Sequence, residues 1–229
     1  MSANGSGAAT ATPPRLTGHR VAILVESDYV EHEISYYQHR FAEEGAEVVL
    51  LSRLWGQDSL TFTGQEYRAQ ITVTDDLESF TYDELNHLSV LLTPSGMVAD
   101  RLRFTEDIER PAPALDLMRR AFRLPKLVKA FSCHGLMLVA AAPELVNGRA
   151  LTCHNNLVGD VRNMGAIYVN QDIVVDGDLI TGRTVNHCHL LARTVIDALD
   201  PPAAPIAPIA PAADASPRDA LPGGVTRAG

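Results

Sequence analysis

The sequence predicts a doubly wound α/β fold, in which helices cover both faces of a mostly parallel sheet. Short apolar runs typical of buried parallel strands recur at residues 19–25, 48–51, 89–93 and 128–132. Helical patterns separate these runs, at residues 31–44, 113–123 and 187–199. Because parallel strands need long crossover connections, this alternation of strands and helices indicates the fold class.

The first half of the chain opens as a β-α-β unit. The strand at 19–25 leads into the helix at 31–44, which Gly45 ends, and the strand at 48–51 follows. Residues 67–73 alternate apolar with polar side chains and predict an antiparallel excursion. The strand at 89–93 runs into Pro94-Ser95-Gly96, a turn at the edge where open α/β sheets bind ligands.

The second half continues the alternation. The amphipathic helix at 113–123 precedes the strand at 128–132, and another helix is predicted to begin after the turn that follows. A short strand at 149–152 and a short helix at 157–164 come next. A hairpin at 173–181 turns at Asp176-Gly177, and the helix at 187–199 closes the domain.

A single domain is predicted over residues 19–200 of the 229, with enough apolar residues for one sizeable core. Residues 1–18 are rich in small residues and are expected to be disordered. They lack the charged and apolar regions of a signal peptide, so a cytoplasmic location is expected. The Pro/Ala-rich tail at 201–229 cannot bury a core and is also expected to be disordered.

The charge of the chain limits its partners. A net charge of −9 argues against a general affinity for nucleic acid or anionic membranes. No apolar run is long enough to cross a bilayer. Three cysteines, an odd number, predict free thiols in a reducing cytosol. Five basic residues are expected to form a solvated face: Arg119, Arg120, Arg123, Lys126 and Lys129.

The segment at 128–141 carries the clearest chemical signal. An apolar strand ends at Ser132-Cys133-His134-Gly135 and then becomes a helical pattern, as in a nucleophile elbow. A helix starting there would aim its free N–H groups at Cys133 and lower the pKa of that thiol. The alternative is that Cys133 is a small buried core residue.

At this elbow the chain resembles the PfpI/DJ-one superfamily, over essentially residues 20–199. The resemblance rests on Phe131-Ser132-Cys133-His134-Gly135, on the turn Pro94-Ser95-Gly96 where the family usually has Pro-Gly-Gly, and on the hairpin at 174–183. It implies a flavodoxin-like, class I glutaminase-like fold. The segment 182–189 departs from the family pattern, which changes a wall near the site and leaves the substrate open.

The resemblance implies roles for individual residues. Cys133 is the nucleophile, and Glu33, with Glu31 as an acidic neighbour, approaches its sulfur. His134 and His154 are competing candidates for the general base, and Asp100 is expected to reach His134 across a subunit interface. Four residues are expected to bind the oxyanion or the substrate: Ser95, Gly96, Gly135 and Arg183.

The implied activity is a cofactor-independent cysteine enzyme acting on small reactive carbonyls, as a glyoxalase or a deglycase of modified proteins or nucleotides. Alternatives are a PfpI-type peptidase, an isonitrile-hydratase-like enzyme, and a thiol stress sensor or chaperone without turnover. A homodimer or higher homo-oligomer is expected. No metal is expected, because adjacent Cys-His pairs lack the spacing that places two ligands on one side.

Overall fold

The computed structural model describes residues 13–202 and confirms the predicted fold class. Helices flank a central sheet of seven strands, and two further pairs of strands lie outside it. The strands are β1 (Arg20–Leu24), β2 (Glu47–Ser52), β3 (Leu60–Thr63), β4 (Gln70–Val73), β5 (Asp75–Asp76), β6 (Val90–Thr93), β7 (Val128–Ser132), β8 (Ala150–Leu151), β9 (Ile167–Tyr168), β10 (Ile173–Asp176) and β11 (Leu179–Gly182).

Within residues 13–202 the α-helices vary in length, and the 3₁₀ segments all follow β7. The α-helices are α1 (Glu31–Glu43), α2 (Tyr82–Asn86), α3 (Val98–Leu102), α4 (Pro113–Phe122), α5 (Val158–Asn163) and α6 (Cys188–Leu199). Four short 3₁₀ segments lie at Gly135–Val139, Pro143–Leu145, Asn155–Leu157 and Val185–His187. No helix within residues 13–202 is long and apolar enough to cross a membrane.

The order of strands in the central sheet is β10-β11-β7-β6-β1-β2-β5. Every neighbouring pair is parallel except β10–β11, the predicted hairpin. Strands β1, β6 and β7 occupy the centre and are almost wholly buried, because helices cover both faces. The carboxyl ends of β6 and β7 therefore meet at one edge, which brings the Ser95 turn beside Cys133.

The predicted antiparallel excursion is confirmed as the hairpin of β3 and β4. Glu31, at the start of α1, holds the hairpin, because its carboxylate accepts the backbone N–H groups of Glu66 at 2.7 Å and Tyr67 at 2.8 Å. These hydrogen bonds outweigh burial, and they lower the pKa of Glu31. Glu31 thus faces the hairpin and stabilises it.

The predicted start of the folded domain is wrong by a few residues. Leu16 is completely buried in the core, and its backbone N–H donates to the carbonyl of Glu44. Arg15 pairs with Asp197 at 2.9 Å and with Asp200 at 3.1 Å, which ties this segment to the end of α6. The predictions of disorder at residues 1–12 and 203–229 lie outside the described residues.

The prediction that Lys129 lies on a solvated face is also wrong. Lys129 is 0 % exposed in the middle of β7. Its ammonium pairs with Asp178 and donates to the carbonyl of Leu124 at 3.1 Å. Arg149 contacts the other oxygen of Asp178 at 2.8 Å and also Asp176 at 3.0 Å, so two carboxylates and two cations form one cluster. A buried lysine is tolerated here because its charge is paired.

Candidate active site

Cys133 lies at the apex of the turn after β7. Its φ of 55° places it in the left-handed region, which residues other than glycine rarely adopt. Its N–H donates to the carbonyl of Gly182 at 2.8 Å, and its carbonyl accepts the N–H of His154 at 3.3 Å. Strain of this kind persists where the surrounding structure holds it, and here β11 and the loop after β8 do so.

The helix expected to follow Cys133 is only a 3₁₀ segment, Gly135–Val139. A helix this short has little dipole, so the argument that a helix N-terminus lowers the pKa of Cys133 is wrong. Burial raises the pKa of Cys133, and the backbone N–H groups of His134 and Val185 oppose that effect without overcoming it.

Gly135 allows the turn to approach the neighbouring strand closely. A β-carbon at this position would lie 2.6 Å from the carbonyl oxygen of Thr93, at the end of β6. Backbone atoms cannot yield by that amount, so only glycine fits here without displacing β6 or the turn. The Cys133 turn and the Ser95 turn are thereby held against each other.

Glu33 is 0 % exposed and lies within a set of hydrogen bonds. Its Oε1 accepts the hydroxyls of Tyr37 at 2.9 Å and Ser95 at 3.1 Å, and its Oε2 accepts the N–H of Ser95 at 2.9 Å. Burial raises the pKa of Glu33, although the hydroxyl and N–H donors around it act in the opposite direction. The site therefore favours a protonated Glu33 more than water does.

Burial also raises the pKa of Cys133, and the charge of Glu33 raises it further. The hydroxyl of Ser95 and the nearby N–H groups act in the opposite direction without overcoming burial. The expected lowering of the pKa of this thiol is therefore wrong for the free protein. Cys133 rests as a thiol, and a base must take its proton during the reaction.

His134 turns back toward the nucleophile. Its Nδ1 lies 3.2 Å from the sulfur of Cys133, and its ring stacks on that of His154 with centroids 4.6 Å apart. Burial lowers the pKa of His134, and proximity to His154 lowers it further. Nδ1 of His154 accepts the N–H of Asn156 at 3.3 Å. A neutral His134 is thus placed to accept the proton of the thiol.

The backbone N–H of Ser95 is not free to bind an oxyanion, because it donates to Glu33. The positive φ of the turn falls on Gly96, at 78°, so serine is accommodated at position 95 without strain. The hydroxyl of Ser95 lies 2.8 Å from that of Ser132. The backbone N–H of Ser95 is thus committed to Glu33, and the roles of Ser95, Gly96 and Gly135 in binding the oxyanion or the substrate stay predictions.

Asp100 and Arg183 are not joined to these groups. Asp100 is exposed on α3, and within residues 13–202 its side chain pairs with no cation. Its expected contact with His134 depends on a second subunit and stays a prediction. The guanidinium of Arg183 lies 2.7 Å from the amide oxygen of Asn170 and 3.2 Å from Asp172. Both contacts tie Arg183 to the loop before β10, although the residue adjoins the site through Gly182.

A comparison with protein families matches residues 19–198 to the DJ-1/PfpI family. The chain belongs to the DJ-1/PfpI family. Its similar relatives include protein/nucleic acid deglycase 2 of Escherichia coli, 29 % identical over 173 residues that cover 72 % of this chain and 88 % of the relative. A deglycase of Pyrococcus horikoshii is 29 % identical, with 72 % and 89 % covered. General stress protein 18 of Bacillus subtilis is 28 % identical, with 73 % and 90 % covered.

Solved structures of DJ-1/PfpI proteins share the fold. A two-domain protein of Anabaena variabilis, containing DJ-1/ThiJ/PfpI-like and ferritin-like domains, matches with a TM-score of 0.68 at 24 % identity, covering 79 % of this chain and 48 % of that one. A DJ-1 superfamily protein of Salmonella typhimurium matches with a TM-score of 0.65 at 20 % identity, covering 79 % and 90 %. At these identities the likeness concerns the fold alone.

Two residues of this DJ-1/PfpI site were not predicted from the sequence. Tyr37 lies one helical turn after Glu33, a spacing that places both side chains on one face of α1 and could have indicated the contact. Ser132 precedes the nucleophile on β7, and its hydroxyl contacts Ser95 on a different strand end. No local pattern indicates such a contact, because it depends on how β6 and β7 pair.

Proposed function

We propose that this DJ-1/PfpI protein is a cofactor-independent cysteine enzyme that converts small 2-oxoaldehydes to hydroxy acids. Its deglycase-named relatives support a deglycase-like role, and the finer reaction is inferred from the site. One observation carries the inference: the sulfur of Cys133 lies 3.2 Å from a neutral imidazole, at the apex of a turn that also approaches a buried carboxyl group.

The accessibility of the nucleophile favours a small substrate. Cys133 is 8 % exposed, so only a narrow approach leads to its sulfur. An aldehyde carbon at the end of a short molecule reaches such an atom more easily than a peptide carbonyl flanked by chain on both sides. This supports a glyoxalase or deglycase over a peptidase, with methylglyoxal or its adducts on proteins or nucleotides as the substrate class.

The first step is addition of the thiol to the aldehyde. The Sγ–C bond forms as the carbonyl π bond opens, the thiol proton passes to Nδ1 of His134, and the carbonyl oxygen is protonated to give a hemithioacetal. His134 can take this proton because its lowered pKa keeps it neutral near pH 7. Proton transfer during attack also explains how a thiol of raised pKa can react.

In the second step the former aldehyde carbon is oxidised and the neighbouring ketone carbon is reduced. A base, His134 or His154, removes the C–H proton of the hemithioacetal carbon, and a proton returns to the neighbouring carbon through an enediol. The result is a thioester of a 2-hydroxy acid. Water then cleaves the C–S bond and releases the acid and the Cys133 thiol. One water is consumed overall, and no external oxidant or reductant is required.

Glu33 contributes through its protonation state. An ionised carboxylate near the sulfur disfavours the developing thiolate, whereas a protonated one does not. Burial favours the protonated form of Glu33. In its protonated form the acid does not oppose the developing thiolate, and buried carboxylic acids act in this form in other active sites.

Product analysis in heavy water tests the reaction. Wild-type protein incubated with methylglyoxal in D₂O is expected to form lactate that carries one deuterium at C2, because the enediol is protonated by a group that exchanges with solvent. Nuclear magnetic resonance of the lactate measures this. Absence of lactate would overturn the proposal, and lactate without deuterium at C2 would exclude the enediol route. Turnover of peptides or isonitriles instead would favour the hydrolase or hydratase alternatives.

His134 and His154 should contribute unequally to turnover. We expect His134→Gln to lower kcat by about 10²-fold, because it removes the imidazole that lies 3.2 Å from the sulfur. His154→Gln should have a smaller effect, about tenfold, since His154 supports the ring of His134 by stacking on it. Steady-state lactate formation by each variant measures the difference. The reverse order of losses would assign the base to His154.

A further inference from the structure

Ser95 lies between Glu33 and the residue that precedes the nucleophile. Its hydroxyl oxygen is 3.1 Å from Oε1 of Glu33 and 2.8 Å from Oγ of Ser132. All three side chains are buried, so water does not compete for these hydrogen bonds. A hydroxyl has one proton and two lone pairs, so Ser95 can donate to only one of its neighbours at a time.

The charge of Glu33 decides which neighbour receives that proton. An ionised Glu33 accepts the O–H of Ser95, and the hydroxyl of Ser132 then donates to Ser95 or to Glu33 itself, whose pKa it acts to lower. A protonated Glu33 needs an acceptor for its own proton, and the hydroxyl oxygens of Ser95 and Tyr37 lie within reach. Ser95 then turns its O–H away from the acid and can donate to Ser132 or to the sulfur of Cys133, whose pKa the Ser95 hydroxyl acts to lower.

We propose that Ser95 is a positioning residue whose hydroxyl couples the protonation of Glu33 to the reactivity of Cys133. Only the O–H of Ser95 rotates, and no heavy-atom bond changes. When Glu33 is neutral, the Ser95 O–H is available to the sulfur and stabilises the developing thiolate. When Glu33 is ionised, the Ser95 O–H donates to the carboxylate and is no longer available to the sulfur. The inference rests on the proposed function only in taking Cys133 as the reacting thiol.

The hydroxyl is not required to build the turn. The backbone N–H of Ser95 already joins the turn to Glu33, and Gly96 carries the positive φ. Thr93, two residues earlier, provides a contrast, because its Oγ1 is buried and has no hydrogen-bond partner among the described residues. Substitution of Thr93 therefore tests the loss of a buried hydroxyl at the same sheet edge without interrupting the contacts from Glu33 through Ser95 to Ser132.

Several other titratable groups face Glu33 and Cys133 and can contribute to the pH profile of Cys133 alkylation. They are Tyr37 on α1, His134 after β7, Cys153 and His154 after β8, and Cys188 at the start of α6. Burial raises the pKa of Cys153 and of Cys188 to about 11, so neither thiol titrates near neutral pH. Mass spectrometry distinguishes Cys133 from both.

The test is the pH dependence of Cys133 alkylation by iodoacetamide, located by peptide mass spectrometry. Ser95→Ala should raise the apparent pKa of this alkylation by about 1, which slows the reaction about tenfold at pH values below the midpoint. Ser95→Thr should restore the wild-type midpoint, and Thr93→Val should leave it unchanged. Ser95→Gly replaces Ser95→Ala if the alanine variant does not fold. An unchanged midpoint in the variant without the hydroxyl would overturn the proposal.

A double-mutant cycle tests whether Ser95 connects Glu33 to Cys133 or affects Cys133 independently of Glu33. Glu33→Gln keeps this side chain neutral at every pH and removes any contribution of the ionised carboxylate, so it should lower the apparent pKa of Cys133, and this effect should shrink when Ser95→Ala is also present. Additive effects would show that Ser95 does not connect the two groups. Alkylation needs no turnover, so the proposal can fail while methylglyoxal conversion stands, or hold if that conversion is not found.

Discussion

Replacing Cys133 with serine should lower lactate formation from methylglyoxal by at least about 10³-fold. A serine hydroxyl is a much weaker nucleophile than a thiol, and His134 alone would have to remove its less acidic proton. Serine is close to cysteine in size and is accommodated at the apex of the turn, so the fold should be retained. Lactate formation and thermal unfolding of the same samples measure both expectations.

The matched control is Cys188→Ser, which removes another buried thiol but leaves Cys133 in place. It should keep turnover within a few-fold of wild type. Equal losses in both variants would point to damage to the fold instead of loss of the nucleophile. A Cys133→Ser protein with normal turnover would remove Cys133 from the mechanism. A wild-type protein that gains oxygen mass at Cys133 with peroxide but forms no lactate would favour the thiol-sensor alternative.

Much of the architecture could be predicted because it depends on local patterns. Buried parallel strands appear as short apolar runs, so β1, β6 and β7 could be placed from the sequence. Their parallel pairing then fixes which turns share an edge, and this brings Ser95 and Cys133 to the same end of the sheet. The position of Glu33 came from resemblance, and the structure places it against the Ser95 turn.

The chemistry of individual atoms could not be predicted in the same way. The N–H of Ser95 is committed to Glu33, and the guanidinium of Arg183 to Asn170 and Asp172. Each pairing joins residues that are far apart or on separate loops, and sequence spacing does not encode it. The raised pKa of Cys133 likewise results from burial, which outweighs the N–H groups directed at the sulfur.

Lys129 shows why charge patterns in the sequence can mislead. It lies among basic residues that are expected to be solvated, yet it occupies an inward position of β7. What permits this is Asp178, which is 49 residues away and adjacent only because β7 pairs with β11. The stability of the site's supporting strand therefore depends on a contact that the sequence does not reveal.

Removing the charge of Asp178 should strongly destabilise the protein. We expect Asp178→Asn to lower the free energy of unfolding by about 3 kcal/mol at pH 7, because it leaves the buried ammonium of Lys129 without its counter-charge. Adding Lys129→Met should recover most of this loss, since an apolar side chain needs no partner in the core. Denaturant unfolding of the single and double variants measures both. The exposed Asp83→Asn serves as control and should change stability by less than about 0.5 kcal/mol.

The pH dependence of the Asp178→Asn variant follows from Lys129. Burial lowers the pKa of Lys129 in the folded protein, and Asp178 opposes that effect. Without Asp178 the folded-state pKa falls further below the unfolded value of about 10.4, so the unfolded chain binds the proton more tightly over that interval. The variant should therefore regain stability relative to wild type as the pH rises from 7 toward 10. A deficit that stays constant over this range would mean that the loss arises from the β10–β11 turn and not from an unpaired ammonium.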